Sequence, residues 1–486
     1  MKKTLLLLAA FASLSMPAFA EYQTAGNGTA YTLESLSAIA ESGITKDGSV
    51  YTVAQDVTVT AGDSFTVEPG ATIQLADGVT FRIDGVADFV ANAEKRVLVT
   101  RSSDDAEPLG IYVACDTEGS GFAYVDFEYA SLRAFGSVGF NVDNCTFRYG
   151  NGAMSITGTL ALGAAGACFE ITNCVFEENY APAISTAFNM ANGVVIEDCE
   201  FFDNNQGNSN NPQITLTAGG NNDIAIRNCT ITGTGRNRVG GIGISNLGSM
   251  SGTNLVEISG CNISENRYGI TGTGPMNMKI KDNVLTNNLH ETNPMAGGSG
   301  LNMTYVTNCE ISGNTIDGHL WGITLVSVSA ANCGEVDNPE CPGNNVFRNN
   351  GNGGVLYDLY NNSTATVYAQ NNIWNVSEQT AEQIATVIFD KSDNPSLGEV
   401  IYMPAGTPTS STLTALDPSK PYTVNGKLIV PGAEKGSVTV YTADGRQVAT
   451  LPLTNCEADL MDLTANGVYV LSVNANGKSY NLKYSR

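Results

Sequence analysis

The chain has 486 residues, 42% of them hydrophobic, enough for a sizeable core and more than one domain. Lys and Arg total 24 against 48 Asp and Glu, a formal net charge of -24 that repels nucleic acid and anionic membrane surfaces, so neither is an expected partner. The 52 glycines, with abundant Asn and Thr, point to many turns and short strands rather than long helices.

Residues 1–20, MKKTLLLLAAFASLSMPAFA, combine two lysines, a short apolar run and the small-residue signal Ala18-Phe19-Ala20. This is the pattern of a secretory signal peptide, and the run is shorter than the ~20 residues a spanning helix needs. No later stretch is apolar enough to cross a bilayer, so an exported mature chain is expected to begin near Glu21. In residues 21–50, Leu33, Leu36 and Ile39 fall at helical spacing and predict a short N-terminal cap.

Residues 51–405 are expected to form one solenoid, within which one arrangement recurs from 145 to 372. FEITNCVFEEN (169–179) sets an anchor, Cys174, two residues before an apolar side chain and five before an Asn. The anchor returns as Cys145, Cys199, Cys229 and Cys261, then as Asn283, Asn314, Asn345 and Asn372, with a mean step of about 28 residues. A second Asn follows at 179, 204, 266, 288 and 350. Units of this size suit a parallel β-helix, in which each coil supplies about three short strands, and coils stacked ~4.8 Å apart pile equivalent residues into columns. Anchors and the apolar residues after them should point inward, while Asn ladders satisfy backbone groups at the corners. A β-propeller needs units of ~40 residues built from hairpins, and these are too short.

At these motifs, together with DVTVTAGDSFTVEPGATIQLADGVTFRIDG near the start and VYAQNNIWNVSEQTAEQIATVIFD near the end, the chain resembles the right-handed parallel β-helix, or pectin-lyase-like, superfamily. The resemblance implies an all-β right-handed solenoid. Enzymes of that superfamily use a Lys or Arg base with carboxylate-held Ca²⁺, or paired Asp residues. Their signatures do not occur here, so no catalytic residue is assigned and Ca²⁺ has no motif.

The anchor cysteines should form one column of buried thiols, within which ~4.8 Å spacing leaves pairing open. Cys333 and Cys341 bracket the acidic loop NCGEVDNPEC and are the favoured disulfide. No zinc-type spacing is present, and no metal is assigned. His290 and His319 are the sole histidines, and aligning NRYGI with HLWGI puts Tyr268 and Trp321 at one coil position. Two placements are open: Tyr268, His290, His319 and Trp321 form an outward strip that stacks on sugar rings, or the aromatics point inward and His319 replaces a ladder Asn. Inserted loops at 205–213, 290–300 and 328–343 offer another ligand surface.

Residues 406–486 open with a Pro/Thr/Ser-rich linker, after which strands alternate with turn signals, as in a small antiparallel, immunoglobulin-like β-sandwich. Val440, Tyr441, Gly445, Arg446, Gly467 and Tyr469 resemble landmarks of the C-terminal sorting domain of type IX secretion cargo. That implies the type IX machinery as a partner and a final location at the cell surface or outside the cell. The expected function is noncatalytic binding or adhesion to a glycan or protein. A polysaccharide lyase or glycoside hydrolase is the first alternative, and a surface-layer spacer the second.

Overall fold

The computed structural model describes residues 21–407 except 115, 152–157, 164, 188, 189 and 249, and most of 422–485. The signal peptide expected at 1–20 lies outside the described residues. The chain divides into two compact units, the first ending at Thr407.

The first unit is a right-handed parallel β-helix of three walls. Among the described residues, wall 1 has 14 strands starting at Tyr22–Gln23, wall 2 has 14 starting at Ala30–Thr32, and wall 3 has 13 starting at Ile44–Asp47. One coil reads Ile184–Thr186 in wall 1, Gly193–Glu197 in wall 2 and Glu200–Phe202 in wall 3. Among the described strands of this unit, pairing is parallel apart from Ile44–Asp47 against Val50–Val53. The segment 21–50, expected only to cap the solenoid, also supplies strands: Tyr22 pairs with Val57 and Tyr31 with Phe65. Its helix, Leu33–Ser37, is started by a Thr32–Ser35 capping box and sinks Leu33 and Leu36 completely into the core.

The recurring Asn-Cys pair is a corner. Between walls 2 and 3 the residue before each anchor adopts a left-handed backbone, as at Asn144, Asn173, Asp198, Asn228, Asp282, Asn344 and Asn371. Asn and Asp tolerate that conformation better than other side chains, and glycine supplies it at 260 and 313. The turn directs the anchor inward, and all nine anchors are at most 1% exposed. Two residues on, Phe147, Phe176 and Phe201 stack with one another and with Phe127 of the coil before, centroids 4.7–4.9 Å apart and planes within 3°.

Cys and Asn are interchangeable at the anchor because both donate to the same place. The thiols of Cys174, Cys199, Cys229 and Cys261 reach the carbonyls of Val142, Ile171, Ile196 and Ile226, each three residues before the anchor of the preceding coil. The amides of Asn283, Asn314 and Asn345 reach Ile258, Ile280 and Ile311, the equivalent atoms. Where the amides begin, each Oδ1 also accepts the backbone N–H of the anchor below: Asn283 from Cys261, Asn314 from Asn283, Asn345 from Asn314 and Asn372 from Asn345.

Seven described strands of the second unit form an antiparallel sheet running from Tyr422–Val424 to Lys478–Ser485. Asn455 and Cys456, both at positive φ, make the two-residue hairpin turn between Gln447–Thr454 and Glu457–Asp459. Leu428 and Ala458 from one side of the order share a core with Val438, Val440, Tyr469 and Leu471 from the other, so the sheet folds over itself as in an immunoglobulin-like sandwich. Of the expected landmarks, Val440 and Tyr469 are buried, Tyr441 is half-buried and Arg446 exposed. Gly445 and Gly467 lie outside the described residues. Among the described residues no helix is long and apolar enough to cross a membrane.

Candidate functional site

Tyr268 and Trp321 occupy one column of wall 1, two coils apart. Gly269 N–H bonds to Ser299 O, and Ser299 stands opposite Trp321. Both aromatics are half-buried. The Tyr268 ring covers Gly240, where a Cβ would meet it at 2.2 Å, and burial pushes its phenol up to about 12.

His319 is not on the surface, which corrects its place in the strip. Gly318, at φ +74°, turns the corner between walls 3 and 1 as Asn287 and Asn349 do in neighbouring coils, and so drives the next side chain inward. The imidazole, 1% exposed, stands in for a ladder Asn: Nδ1 accepts the Asn288 N–H at 3.2 Å and Nε2 donates to Leu285 O at 3.2 Å. Burial pushes it down to about 4, and the neutral ring suits both bonds. His290 is partly exposed at the same kind of corner, its Nε2 2.8 Å from Glu265 Oε2. No hydrogen bond, ion pair or ring contact joins any two of the four residues.

The expected Cys333–Cys341 disulfide is also corrected. Both thiols are free and buried: Cys333 belongs to the solenoid core, and Cys341 Sγ turns instead to Asn332 O at 3.2 Å. The anchor thiols are likewise free. Burial pushes Cys174 up, and a neighbouring thiol together with burial does the same to Cys229 and Cys261.

The structure gives Trp321 partners that no sequence spacing announced. Register places it against Tyr357 in the next coil, and the rings stack at 5.4 Å and 13°. Tyr360 meets Trp321 edge-on at 4.9 Å and stacks on Phe389, one coil further, at 4.6 Å and 13°. All four are half-buried; Tyr360 and Phe389 face outward because the residues before them, Leu359 and Ile388, fill the core, and Trp321 and Tyr357 join them through their ring contacts. The missed signal was an aromatic directly after the inward residue, as in Leu359-Tyr360 and Ile388-Phe389.

Two loops border this platform. Trp321 Nε1 donates to Pro294 O at 3.0 Å, tying down loop 289–298, whose Met295 is 86% exposed. Asn352 Nδ2 donates to Leu320 O at 3.0 Å and holds loop 351–356, with Val355 and Leu356 exposed at its tip. Beneath, Asp358 is buried between the two tyrosines, accepting from Asn350 Nδ2 and Asn375 N, and burial pushes its carboxyl up to about 7. Towards the N-terminal coils the same outward column continues as Thr324, Asn302 and Thr271, a strip of hydroxyls and an amide. The site thus offers flat ring faces beside small hydrogen-bonding groups, a combination suited to a ligand with both C–H faces and hydroxyls. Among the described residues no three His, Cys, Asp or Glu side chains are grouped as a metal site requires.

No family model matches the sequence, and no curated protein matches it. Among solved structures, a mutant of the periplasmic alginate epimerase AlgG is similar at 11% identity, over 77% of this chain and 83% of that one, with a TM-score of 0.41. The GH136 lacto-N-biosidase from Eubacterium ramulus matches at 12% identity over 70% and 62%, with a TM-score of 0.22. The tailspike protein gp49 of Acinetobacter baumannii bacteriophage Fri1, a capsular polysaccharide depolymerase, matches at 11% identity over 96% and 78%, with a TM-score of 0.21. Likenesses this distant carry no argument about this chain, whose fold rests on its own three parallel ladders.

Proposed function

We propose that the protein is an exported, noncatalytic glycan-binding solenoid that receives a sugar chain on the outer face of wall 1. The observation that carries this reading is the platform of Trp321, Tyr357, Tyr360 and Phe389. Aromatic faces stack on the apolar faces of sugar rings, and the adjoining Thr324, Asn302 and Thr271 supply donors and acceptors for hydroxyls. Binding rather than cleavage is favoured because the groups at the platform's surface are rings, hydroxyls and amides. Of the nearby carboxyls, Asp358 lies beneath and is taken up by Asn350 and Asn375, and Asp393, which acts on Tyr357 through its charge, accepts from the Asp390 N–H. In this proposal the second unit serves type IX export and leaves the solenoid at the cell surface or outside the cell.

The test is a glycan array probed with the mature protein and with Tyr360→Ala, alongside assays for reducing ends and unsaturated products on a polysaccharide panel with and without Ca²⁺. Binding that Tyr360→Ala weakens several-fold, with no turnover, supports the proposal. Turnover of any polysaccharide overturns the noncatalytic part, and binding indifferent to Tyr360 overturns the platform.

A further inference from the structure

The strands that carry the platform end in an open cleft. Where the chain turns from wall 1 to wall 2, a cavity of about 680 Å³ is lined by Ser327 and Ser329, by Asn362 and Thr364 of the next coil, and by Ser396 and Leu397 of the coil after that. Its volume falls within the ~300–1,000 Å³ of small-ligand sites. Ser327, Ser329, Asn362, Thr364 and Ser396 are all exposed. The described residues that line the cleft include no Lys, Arg, Asp or Glu.

Platform and cleft are continuous. On the strand Leu359–Asn362, Tyr360 of the platform and Asn362 of the cleft are two residues apart and share the outward face, a separation of about 7 Å. The strand Trp321–Val326 beside it is six residues long, ~17 Å at ~3.3 Å per step, a span that suits a short sugar chain rather than one ring. Loop 390–398 borders both places. The charge of its Asp393, second to burial, pushes the Tyr357 phenol up, and three residues on Ser396 and Leu397 enter the cleft. The Asp390 carboxylate fixes this loop by accepting from Ser392 N, Ser392 Oγ and Val400 N, and Gly398 N–H donates to Ser363 O. A loop fixed in advance loses little freedom when a ligand arrives.

The coil before Ser327 adds an aromatic ring in a strained backbone. The corner column reads Gly274, Tyr305, Ser327, for Gly274 N–H donates to Thr304 O and Tyr305 N–H to Val326 O. All three are left-handed, at φ +99°, +58° and +49°. Glycine adopts that conformation freely, whereas a bulky side chain does so at a cost that is kept where the side chain has a use. Tyr305 is 61% exposed and stands one coil, ~4.8 Å between backbones, from Ser327.

We propose that a neutral oligosaccharide crosses wall 1 along its strands, stacking on the platform at Tyr360, bonding to Asn362, Thr364 and Ser327 in the cleft, and ending against the ring of Tyr305. This path rests on the reading of the platform as a glycan site and adds the direction and class of the chain. The class follows from the lining: hydroxyls and an amide match sugar hydroxyls, no cation lines the cleft among the described residues, and Asp393 with the net charge of -24 repels uronic and sulfated sugars.

The test is calorimetric titration of the mature protein with glucan, mannan and chitin oligosaccharides of two to six sugars, and with oligogalacturonate and oligomannuronate of the same lengths. The expected result is an affinity for a neutral series that rises with length, and weaker binding of the uronates. Tyr305→Gly keeps the left-handed corner, so it should leave Tm no lower while reducing the affinity of the longest members several-fold and sparing the shortest. Asn362→Ala, at an exposed position, should likewise act on the longer members. Tyr360→Ala should weaken every length. If Tyr360→Ala weakens binding while Tyr305→Gly or Asn362→Ala leaves the longest members untouched, or weakens all lengths alike, the path is overturned and the platform stands. Uronates bound as tightly as neutral chains overturn the neutral class. Binding absent both here and on the glycan array overturns the platform and this path together.

Discussion

Single residues separate binding from packing on wall 1. Trp321 is half-buried and rests on Tyr357 and Tyr360, so Trp321→Ala should weaken glycan binding several-fold while costing stability only about 1 kcal/mol, the worth of a ring pair. A fall in Tm like that of a core aromatic deletion, ~3–5 kcal/mol, would show that Trp321 is structural. His319 makes the opposite case. It titrates near 6.5 in the unfolded chain and about 4 in the fold, so between those values the unfolded state binds the extra proton. Its contribution is complete above pH 6.5 and is lost as pH falls towards 4, reaching about 2–3 kcal/mol at pH 4.5. His319→Asn, which restores the ladder residue of neighbouring coils, should therefore gain on the parent protein by that amount between pH 7 and 4.5. Urea unfolding at the two pH values checks it, and a constant difference would place the imidazole in contact with water.

At the scale of the element, the corner ladders are the stabilising device, and thiol and amide are two versions of it. Cys261 sits at the junction, its thiol directed at Ile226 O and its N–H given to Asn283. Cys261→Ala should cost on the order of 1–2 kcal/mol through a small cavity and a lost donor. Cys261→Asn, which extends the amide ladder by one coil, should cost less than Cys261→Ala. Chemical denaturation of both variants decides this, and an Asn variant worse than Ala would mean the cysteine coils are too narrow for an amide. The second ladder crosses a coil without its own Asn by borrowing Gln213, which accepts from Asn204 Nδ2 at 2.9 Å and donates to Asn266 Oδ1 at 3.0 Å. Gln213 lies outside the motif spacing, so the repeat alone could not have named it.

For the whole molecule, the two units have separate cores: the solenoid's is drawn from residues up to Val400 and Ala405, the second unit's from Leu428 onward. Deleting residues 412–486 should leave the solenoid folded, with its cooperative unfolding intact, and on the type IX reading should strand it in the periplasm. Circular dichroism with cell fractionation tests both halves, and normal surface display of the truncated chain would remove the sorting role.

The sequence by itself determined the solenoid, because a coil is a local unit repeated: the anchor, the left-handed Asn before it and the apolar residue after it are close in the chain, and stacking follows from their period. It also put Tyr268 and Trp321 in one column, since register between coils follows from aligned motifs. What only the tertiary structure decided depends on direction and on insertions of unequal length. Whether position 319 points in or out was set by the turn at Gly318, and the free thiols of Cys333 and Cys341 by where their loop enters the core. Tyr357, Tyr360 and Phe389 join Trp321 only because coils distant in sequence are brought ~4.8 Å apart, where side chains meet neighbours that no spacing within one coil records.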